Sequence, residues 1–171
     1  MSIAPRVIAA GVLPFFDDGS TILLGLEYRK VYNTYTWMEF GGKKEGDESL
    51  AETACREANE ETAGTLGLTL EQVLQAERAE HYVDYYNEKS GVFYRMYCVR
   101  VGTKPTLAQF EENAKQRNNE HVEKISWAYF KAFDVIYNKN GILPGTDAKV
   151  YSTSQIRLEL LKQHPRLNEI C

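Results

Sequence analysis

The chain is 171 residues long, with a formal net charge of −4 and a sequence pI near 5.5. This length predicts one packed domain over residues 1–171, because domains usually hold roughly 100 to 200 residues. The mild acidity gives no reason to expect a membrane surface or an extended nucleic acid as partner. The three cysteines are widely spaced and form no CxxC pair, which favours a reducing cytoplasm over a disulfide framework or a zinc site.

The first predicted elements are two strands. Residues 6–16 and 22–28 are rich in apolar and β-branched side chains, and the turn-forming residues 17–20 separate them. Prolines and an arginine interrupt the apolar N-terminal run, which is unlike a signal sequence or a membrane span. We therefore expect a β-hairpin that begins in the core.

Basic and aromatic residues fill the segment that follows the hairpin. Arg29 and Lys30 could contact a phosphate, and one of the aromatic residues up to Trp37 could stack on a base. In the alternative interpretation the two basic residues are solvated charges at the end of a strand, and Trp37 packs the loop. We take all three as candidate substrate-binding residues.

A short strand over residues 37–40 is predicted to deliver the chain to the glycine pair Gly41-Gly42. Glycine tolerates positive φ and the close approach of a ligand, so a main-chain carbonyl here could face a cation. A tight turn without a ligand is the alternative.

Residues 49–62 are predicted to form a helix, because they hold many good helix formers and no proline or glycine. Glu57, Glu60 and Glu61 stand at i, i+3 and i+4, which places three carboxylates on one face of that helix. Small apolar residues recur on another part of its surface and could pack on the core. Such an arrangement suits a hard cation, although a solvent-exposed acidic helix would show the same face.

The spacing around this helix resembles the Nudix box. Gly42 is followed after five residues by Glu48, and seven residues later by the run Arg56-Glu57-Ala58-Asn59-Glu60-Glu61. A glycine, an arginine and four glutamates therefore match at set spacings. The family pattern has glycine where Ala63 stands, with Gly64 one place later, so the helix end is expected to differ.

The resemblance implies the fold class α/β (α+β), as a Nudix-type α/β/α sandwich with a mixed central sheet. It also implies a divalent cation, Mg²⁺ or alternatively Mn²⁺. In this sequence its ligands would be the carbonyl of Gly41 with Glu60 and Glu61, while Glu57 would share the metal or accept a proton from water. The sequence leaves both roles of Glu57 open.

Other residues of the box are expected to support the site. Glu48, Glu52 and Arg56 follow one another at intervals of four, so they share one side of the helix. Arg56 is therefore expected to orient the acids and not to touch substrate.

The middle of the chain predicts a second hairpin. A short helix around residues 70–75 precedes two aromatic and β-branched runs, 81–86 and 92–101, which a polar loop separates. Arg95 lies among aromatic residues, where it could bind phosphate, stack, or form an ion pair. We include it among the candidate substrate-binding residues.

Residues 103–119 are polar and are predicted to be a mobile connection, of the kind that forms lids, with one helical turn around residues 107–114. Glu120 follows, before a strand predicted over residues 124–129. Its position resembles that of an acid before the closing strand of many Nudix domains, so it is a candidate extra ligand or catalytic base. Three other acids compete for this role: Glu111, Glu112 and Glu123.

The C-terminal part predicts two helices. The first is a short one over residues 130–137, and the second spans residues 154–163 with Ser154 as its N-cap. No repeat or linker divides the sequence.

Together these features predict a metal-dependent hydrolase that cleaves a diphosphate bond in a nucleoside diphosphate linked to another group. The resemblance implies nucleotide sugars, ADP-ribose, dinucleoside polyphosphates or nucleoside triphosphates as substrates. A capped RNA end ranks lower because the chain has no long basic stripe. A homodimer is left open, and the alternative function is a nucleotide-binding sensor or interaction domain without turnover.

Overall fold

The computed structural model describes residues 5–118 and 123–171. Its strands are β1 (Val7–Phe16), β2 (Thr21–Arg29), β3 (Thr34–Met38), β4 (Phe40–Lys43), β5 (Tyr82–Asn87), β6 (Val92–Arg100), β7 (Ser126–Lys131) and β8 (Lys149–Val150). Its α-helices are α1 (Leu50–Glu61), α2 (Leu70–Arg78), α3 (Leu107–Gln116), α4 (Ala132–Ile136), α5 (Ser152–Lys162) and α6 (Leu167–Ile170).

The strands form one mixed sheet in the order β5-β6-β1-β2-β3-β8, and two further strands join it, with β4 pairing with β1 and β7 with β2. The apolar strand β1 lies at the centre. It runs parallel to β6 along one edge, and its other edge is shared by β4 and β2. Both hairpins predicted from the sequence, β1–β2 and β5–β6, are antiparallel pairs in the structure.

Helices cover both faces of the sheet. One buried cluster joins small residues of α1 to α2, α3 and one face of the sheet, and it includes Ala54, Val73, Phe110 and Trp127. A second cluster joins α4, α5 and α6 to the opposite face, through residues such as Leu161. The predicted α/β/α sandwich with a mixed sheet is therefore confirmed.

A close approach of two strands brings β4 to the centre of this sheet. Gly11 of β1 lies opposite Gly41 of β4. A Cβ atom on Gly41 would lie 2.6 Å from the Cα atom of Gly11, and one on Gly11 would lie 2.4 Å from the Phe40 carbonyl oxygen. Because real Cβ atoms do not approach backbone so closely, both positions need glycine.

The helical turn predicted around residues 107–114 is present as part of a longer helix, whereas the prediction that residues 103–119 are a mobile connection is wrong for their described part. Residues Leu107–Gln116 form the ten-residue helix α3, with a capping box at Thr106. Phe110 and Ala114 of this helix are buried, and the Phe110 ring stacks on Trp127 with centroids 5.5 Å apart. The segment is held by core packing, which a largely polar sequence did not reveal.

The start of the last long helix also differs from the prediction. Helix α5 begins at Ser152 with Tyr151 as N-cap, two residues before the predicted start. Ser154 is buried and accepts a hydrogen bond from the Arg157 guanidinium at 3.2 Å, so its hydroxyl is used inside the helix and not as a cap. In the described part of the chain, no helix is long and apolar enough to cross a membrane.

Candidate active site

Helix α1 begins with a reciprocal capping box. The Ser49 hydroxyl accepts from the Glu52 amide at 3.1 Å, and the Glu52 carboxylate accepts from the Ser49 amide at 2.6 Å. This pair satisfies amide groups that the first helical turn leaves without partners. Glu52, one of the predicted supporting residues, therefore fixes where the helix starts.

The end of α1 is where the chain departs from the Nudix pattern. Ala63 has φ of 51°, in the left-handed region, and the next residue, Gly64, also has positive φ. The Gly64 amide donates to the Asn59 carbonyl and the Ala63 amide to the Glu60 carbonyl, which is a Schellman ending. The helix end is thus not displaced, because Ala63 itself takes the backbone conformation that suits glycine.

Small buried alanine side chains allow α1 to pack closely against β4, which carries the glycine pair. Ala51, Ala54 and Ala58 are buried under the helix. The Glu57 side chain consequently runs along the backbone of Gly42, where an added Cβ would lie 2.4 Å from the Glu57 Oε1 atom. Gly42 is needed because the carboxylate occupies the space of a side chain.

Glu61 is a buried carboxylate with two donors. Its Oε2 atom accepts from the Gly41 amide at 2.8 Å, and its Oε1 atom accepts from Lys124 Nζ at 2.8 Å. Burial raises the pKa of Glu61 to about 7, against the opposing effect of Lys124 and the amide. Glu61 therefore fixes the main chain at Gly41, whose carbonyl is the predicted metal ligand.

Lys124 links the helix to strand β2. Its side chain is fully buried, and its Nζ atom also donates to the Glu27 carboxylate at 2.6 Å. Burial opposes the charged forms, but the attraction between the partners lowers the pKa of Glu27 and raises that of Lys124. The buried ammonium thus compensates two buried carboxylates.

A cluster of carboxylate oxygens forms around this lysine. Oxygen atoms of Glu27, Glu61 and Glu123 lie within 4.8 Å of one another. The pKa of the nearby Glu57 is raised above its usual value. Burial is the main cause, and the negative charges of Glu60 and Glu123 add to it. Lys124 occupies part of this cluster, and the carboxylate oxygens that it leaves, together with those of Glu57, are hard ligands of the kind that suit a divalent cation.

Arg56 holds several of these acids in place. Its guanidinium donates to Glu48 at 2.7 and 3.1 Å, to Glu57 at 2.9 Å and to Glu60 at 3.1 Å. It also donates to the Lys43 carbonyl at 3.0 Å. These bonds orient Glu57 and Glu60, while Glu48 anchors the arginine from the loop before α1.

The predicted substrate-binding residues are spread over several places. Arg29 lies beside the cluster and donates to Glu27 at 2.7 Å, and Lys30 is exposed in the turn that follows. Trp37 is buried, and its indole N–H donates to Thr146. Arg95 pairs with Asp84 at 2.7 and 2.8 Å and stacks on Tyr82 at 3.8 Å.

The structure shows the positions of only some of the acids that were predicted to form the site. Glu57 and Glu61 lie against the glycine pair, and Glu60 is joined to Glu57 through Arg56. Glu120 lies outside the described residues. Sequence reasoning missed Glu27 and Lys124. Glu27 stands out as an acid in an otherwise apolar strand, and Lys124 as a lysine just before the strand β7. Neither pattern shows that the two side chains contact each other.

A family model and several solved structures match this chain. A model of the NUDIX domain matches residues 5–144. Solved structures with a similar fold include an Ap4A hydrolase of C. elegans in a binary complex (TM-score 0.55, 17% identity, 89% of this chain and 92% of that chain). They also include a MutT protein from Methanosarcina mazei Go1 (TM-score 0.53, 17% identity, 94% and 95%) and a NUDIX hydrolase from Nitrosomonas europaea (TM-score 0.52, 13% identity, 99% and 76%). A search of curated sequences found no match.

The mixed sandwich, with an acidic helix packed on a glycine pair, defines the class of Nudix-fold proteins. Because the family model covers most of the sequence, this chain belongs to the Nudix family. It is a pyrophosphohydrolase, an enzyme that acts on phosphorus-containing acid anhydrides.

Proposed function

We propose that this protein hydrolyses a diphosphate bond in a small nucleotide, using Mg²⁺ or Mn²⁺. The observation that carries the proposal is the convergence of carboxylates from α1, β2 and the segment before β7 on the Gly41-Gly42 strand. Glu57, Glu60, Glu61 and the Gly41 carbonyl would hold the cation. When bound, it would neutralise phosphate charge and lower the pKa of a bound water.

The buried network supports this proposal by fixing the ligands before substrate arrives. Glu61 and Lys124 tie the end of α1 to β4 and β2, and Arg56 orients Glu57 and Glu60. Because these carboxylates are already fixed, they lose little conformational freedom when the cation binds. This favours a defined position for the reacting phosphate.

A proton acceptor for the attacking water is available within the cluster. In the second role that the sequence leaves open, Glu57 accepts the proton of the attacking water and does not bind the cation, and burial raises the pKa of its carboxyl group, which suits a general base. Glu123 is a second acceptor at the same cluster. Glu120 remains a candidate from the sequence alone.

Basic residues can meet the phosphates of the substrate. The Arg29 side chain is 31% exposed and donates to Glu27 and to the Tyr151 hydroxyl, so a phosphate would meet the exposed edge of its guanidinium. Lys30 is exposed immediately after it. Arg95 is a weaker candidate because its guanidinium is already paired with Asp84 and Glu77.

The proposed substrates are nucleoside diphosphates linked to another group, including nucleotide sugars, ADP-ribose and nucleoside triphosphates. The fold of the C. elegans Ap4A hydrolase is similar, so dinucleoside polyphosphates belong in the same panel.

The test is a screen of these nucleotides with Mg²⁺, with Mn²⁺ and with EDTA, followed by mass analysis of the products. Carrying it out in ¹⁸O-water also shows which phosphorus is attacked. We expect metal-dependent release of a nucleoside monophosphate or of inorganic pyrophosphate. Metal-dependent binding without turnover would instead support the sensor function.

A further inference from the structure

We propose that a cavity beside the acidic cluster, lined by Tyr32, Thr36 and Tyr151, binds the nucleobase of the substrate. The inference rests on the proposed function, which supplies the nucleotide. The cavity has a volume of about 290 Å³. This is at the lower end of the range for small-ligand sites and suits one planar ring system better than a whole nucleotide.

Strand register places the cavity on the same face of the sheet as the acids. Thr36 of β3 lies opposite Glu27 of β2, and Thr34 lies opposite Arg29. Residues directly opposite each other in an antiparallel pair point to the same face. Thr36 therefore places the buried end of the cavity beside the cluster, and Thr34, two residues away, extends it ~7 Å along the strand. A phosphate chain could bridge this interval.

Two tyrosines form walls suited to an aromatic ring. Tyr151 is held by Arg29, whose guanidinium lies 4.6 Å from the ring centroid and donates to the Tyr151 hydroxyl at 3.3 Å. Tyr32 faces it with a centroid separation of 6.1 Å and a tilt of 56°, and is 57% exposed. The tilted pair leaves ring surface on which a base can stack.

The buried end of the cavity holds an unsatisfied hydroxyl. Thr36 is 5% exposed, and its Oγ1 atom has no hydrogen-bond partner among residues 5–118 and 123–171. Such an atom is unusual because leaving a buried hydroxyl unpaired is unfavourable. The ring edge of a nucleobase carries donors and acceptors that could satisfy it.

Polar residues at the rim are compatible with the same ligand. Asp147, Lys149 and Ser152 line the opening, so the cavity offers both acceptors and donors around its aromatic walls. A purely apolar ligand would leave these groups and the Thr36 hydroxyl without partners. The combination favours a ring that is apolar on its faces and polar on its edges.

Binding can be measured without catalysis, so that this inference and the proposed function fail separately. Calorimetric titrations in EDTA would compare AMP, GMP, CMP and UMP with ribose 5-phosphate, which lacks a base. We expect at least one nucleotide to bind about 5-fold to 100-fold more tightly than ribose 5-phosphate. Equal affinities would overturn the base site, whereas absent turnover with Mg²⁺ would overturn only the hydrolase.

The first variant is Tyr32→Ala, because Tyr32 is exposed and little of the core depends on it. We expect it to weaken binding of the preferred nucleotide by about 5-fold to 100-fold without changing the affinity for ribose 5-phosphate. The matched control is Phe133→Ala, an aromatic residue that is 68% exposed and stacks on Tyr137 instead. Unchanged nucleotide affinity in Tyr32→Ala would contradict the proposal.

The second variant is Thr36→Val, which removes the hydroxyl and keeps the side-chain shape. We expect nucleotide affinity to fall by about 2-fold to 10-fold, while the melting temperature stays the same or rises because the unpaired hydroxyl is gone. A purely structural threonine would show the reverse pattern, with lower stability and unchanged affinity, and that result would overturn the role of the hydroxyl.

Discussion

Ala63 is the residue at which this chain departs from the Nudix pattern, and its backbone shows the consequence. It adopts φ of 51° at the end of α1, where glycine is normally preferred. We predict that Ala63→Gly leaves the free energy of unfolding within about 0.5 kcal/mol of wild type, because relief of left-handed strain offsets the loss of a buried methyl group and the added entropy of the unfolded chain. Urea denaturation measures this difference.

Ala79, which ends helix α2, provides a matched control for this prediction. Its φ of −80° is in the right-handed region, so it carries no such strain. Ala79→Gly should therefore lower the free energy of unfolding. If Ala63→Gly destabilised the protein to the same extent, the left-handed ending of α1 would be ruled out.

The free energy of unfolding depends on pH through the bonds between Glu48 and Arg56. The Arg56 guanidinium lowers the pKa of Glu48 from 4.5 to about 2, with further help from the Glu45 amide and the Thr53 hydroxyl. As the pH falls, Glu48 is therefore protonated at a higher pH in the unfolded chain than in the folded protein. The stabilisation is present above about pH 4.5 and is lost as pH falls towards 2.

We predict that Glu48→Gln reduces this acid sensitivity. Urea midpoints measured between pH 5 and pH 2.5 should fall less steeply for the variant than for the wild type. Glu112→Gln, at an exposed position on α3, should keep the wild-type slope. Parallel slopes for the wild type and Glu48→Gln would mean that the Arg56 bonds do not stabilise the folded state.

At the scale of elements, α3 shows that polar composition can conceal a packed helix. Only two of its side chains are buried, and one of them, Phe110, stacks on Trp127 beneath the sheet. We predict that Phe110→Ala lowers the free energy of unfolding by roughly 3 to 5 kcal/mol, because it leaves a cavity in the core. Urea denaturation is again the measurement.

Leu107 lies on the same helix and is 40% exposed, so Leu107→Ala should have a much smaller effect. A lid that merely rests on the surface would lose little stability from either substitution. Equal, small effects would therefore restore the interpretation of this segment as a mobile connection.

The elements that were predicted well are those with strong local signals. Turn-forming residues bounded both hairpins, and the run of helix formers over residues 49–62 agreed with helix α1. The start of α5 was misplaced because Ser154 looks like a cap in sequence but bonds to Arg157 in the structure. A capping signal is ambiguous when a serine also has a partner inside the helix.

At the scale of the whole molecule, the site combines one local motif with several distant residues. The acids of α1 and the glycine pair fall within about two dozen positions, so their spacing was readable from the sequence alone. Lys124 meets partners that are 97 and 63 residues away. That contact depends on how β2 and α1 pack in the folded chain, which periodicity and spacing do not encode.

In the proposed function, the carboxylates of α1 support metal-dependent hydrolysis of a nucleotide diphosphate bond. The most direct test is the turnover number with Mg²⁺ and with EDTA for wild type, Glu60→Gln and the control Glu159→Gln, which changes an exposed acid of α5. We predict Mg²⁺-dependent turnover in the wild type and the control, and a loss of roughly 100-fold to 1000-fold or more in Glu60→Gln with an unchanged melting temperature. Near-normal turnover in Glu60→Gln, or wild-type turnover that persists in EDTA, would contradict the account.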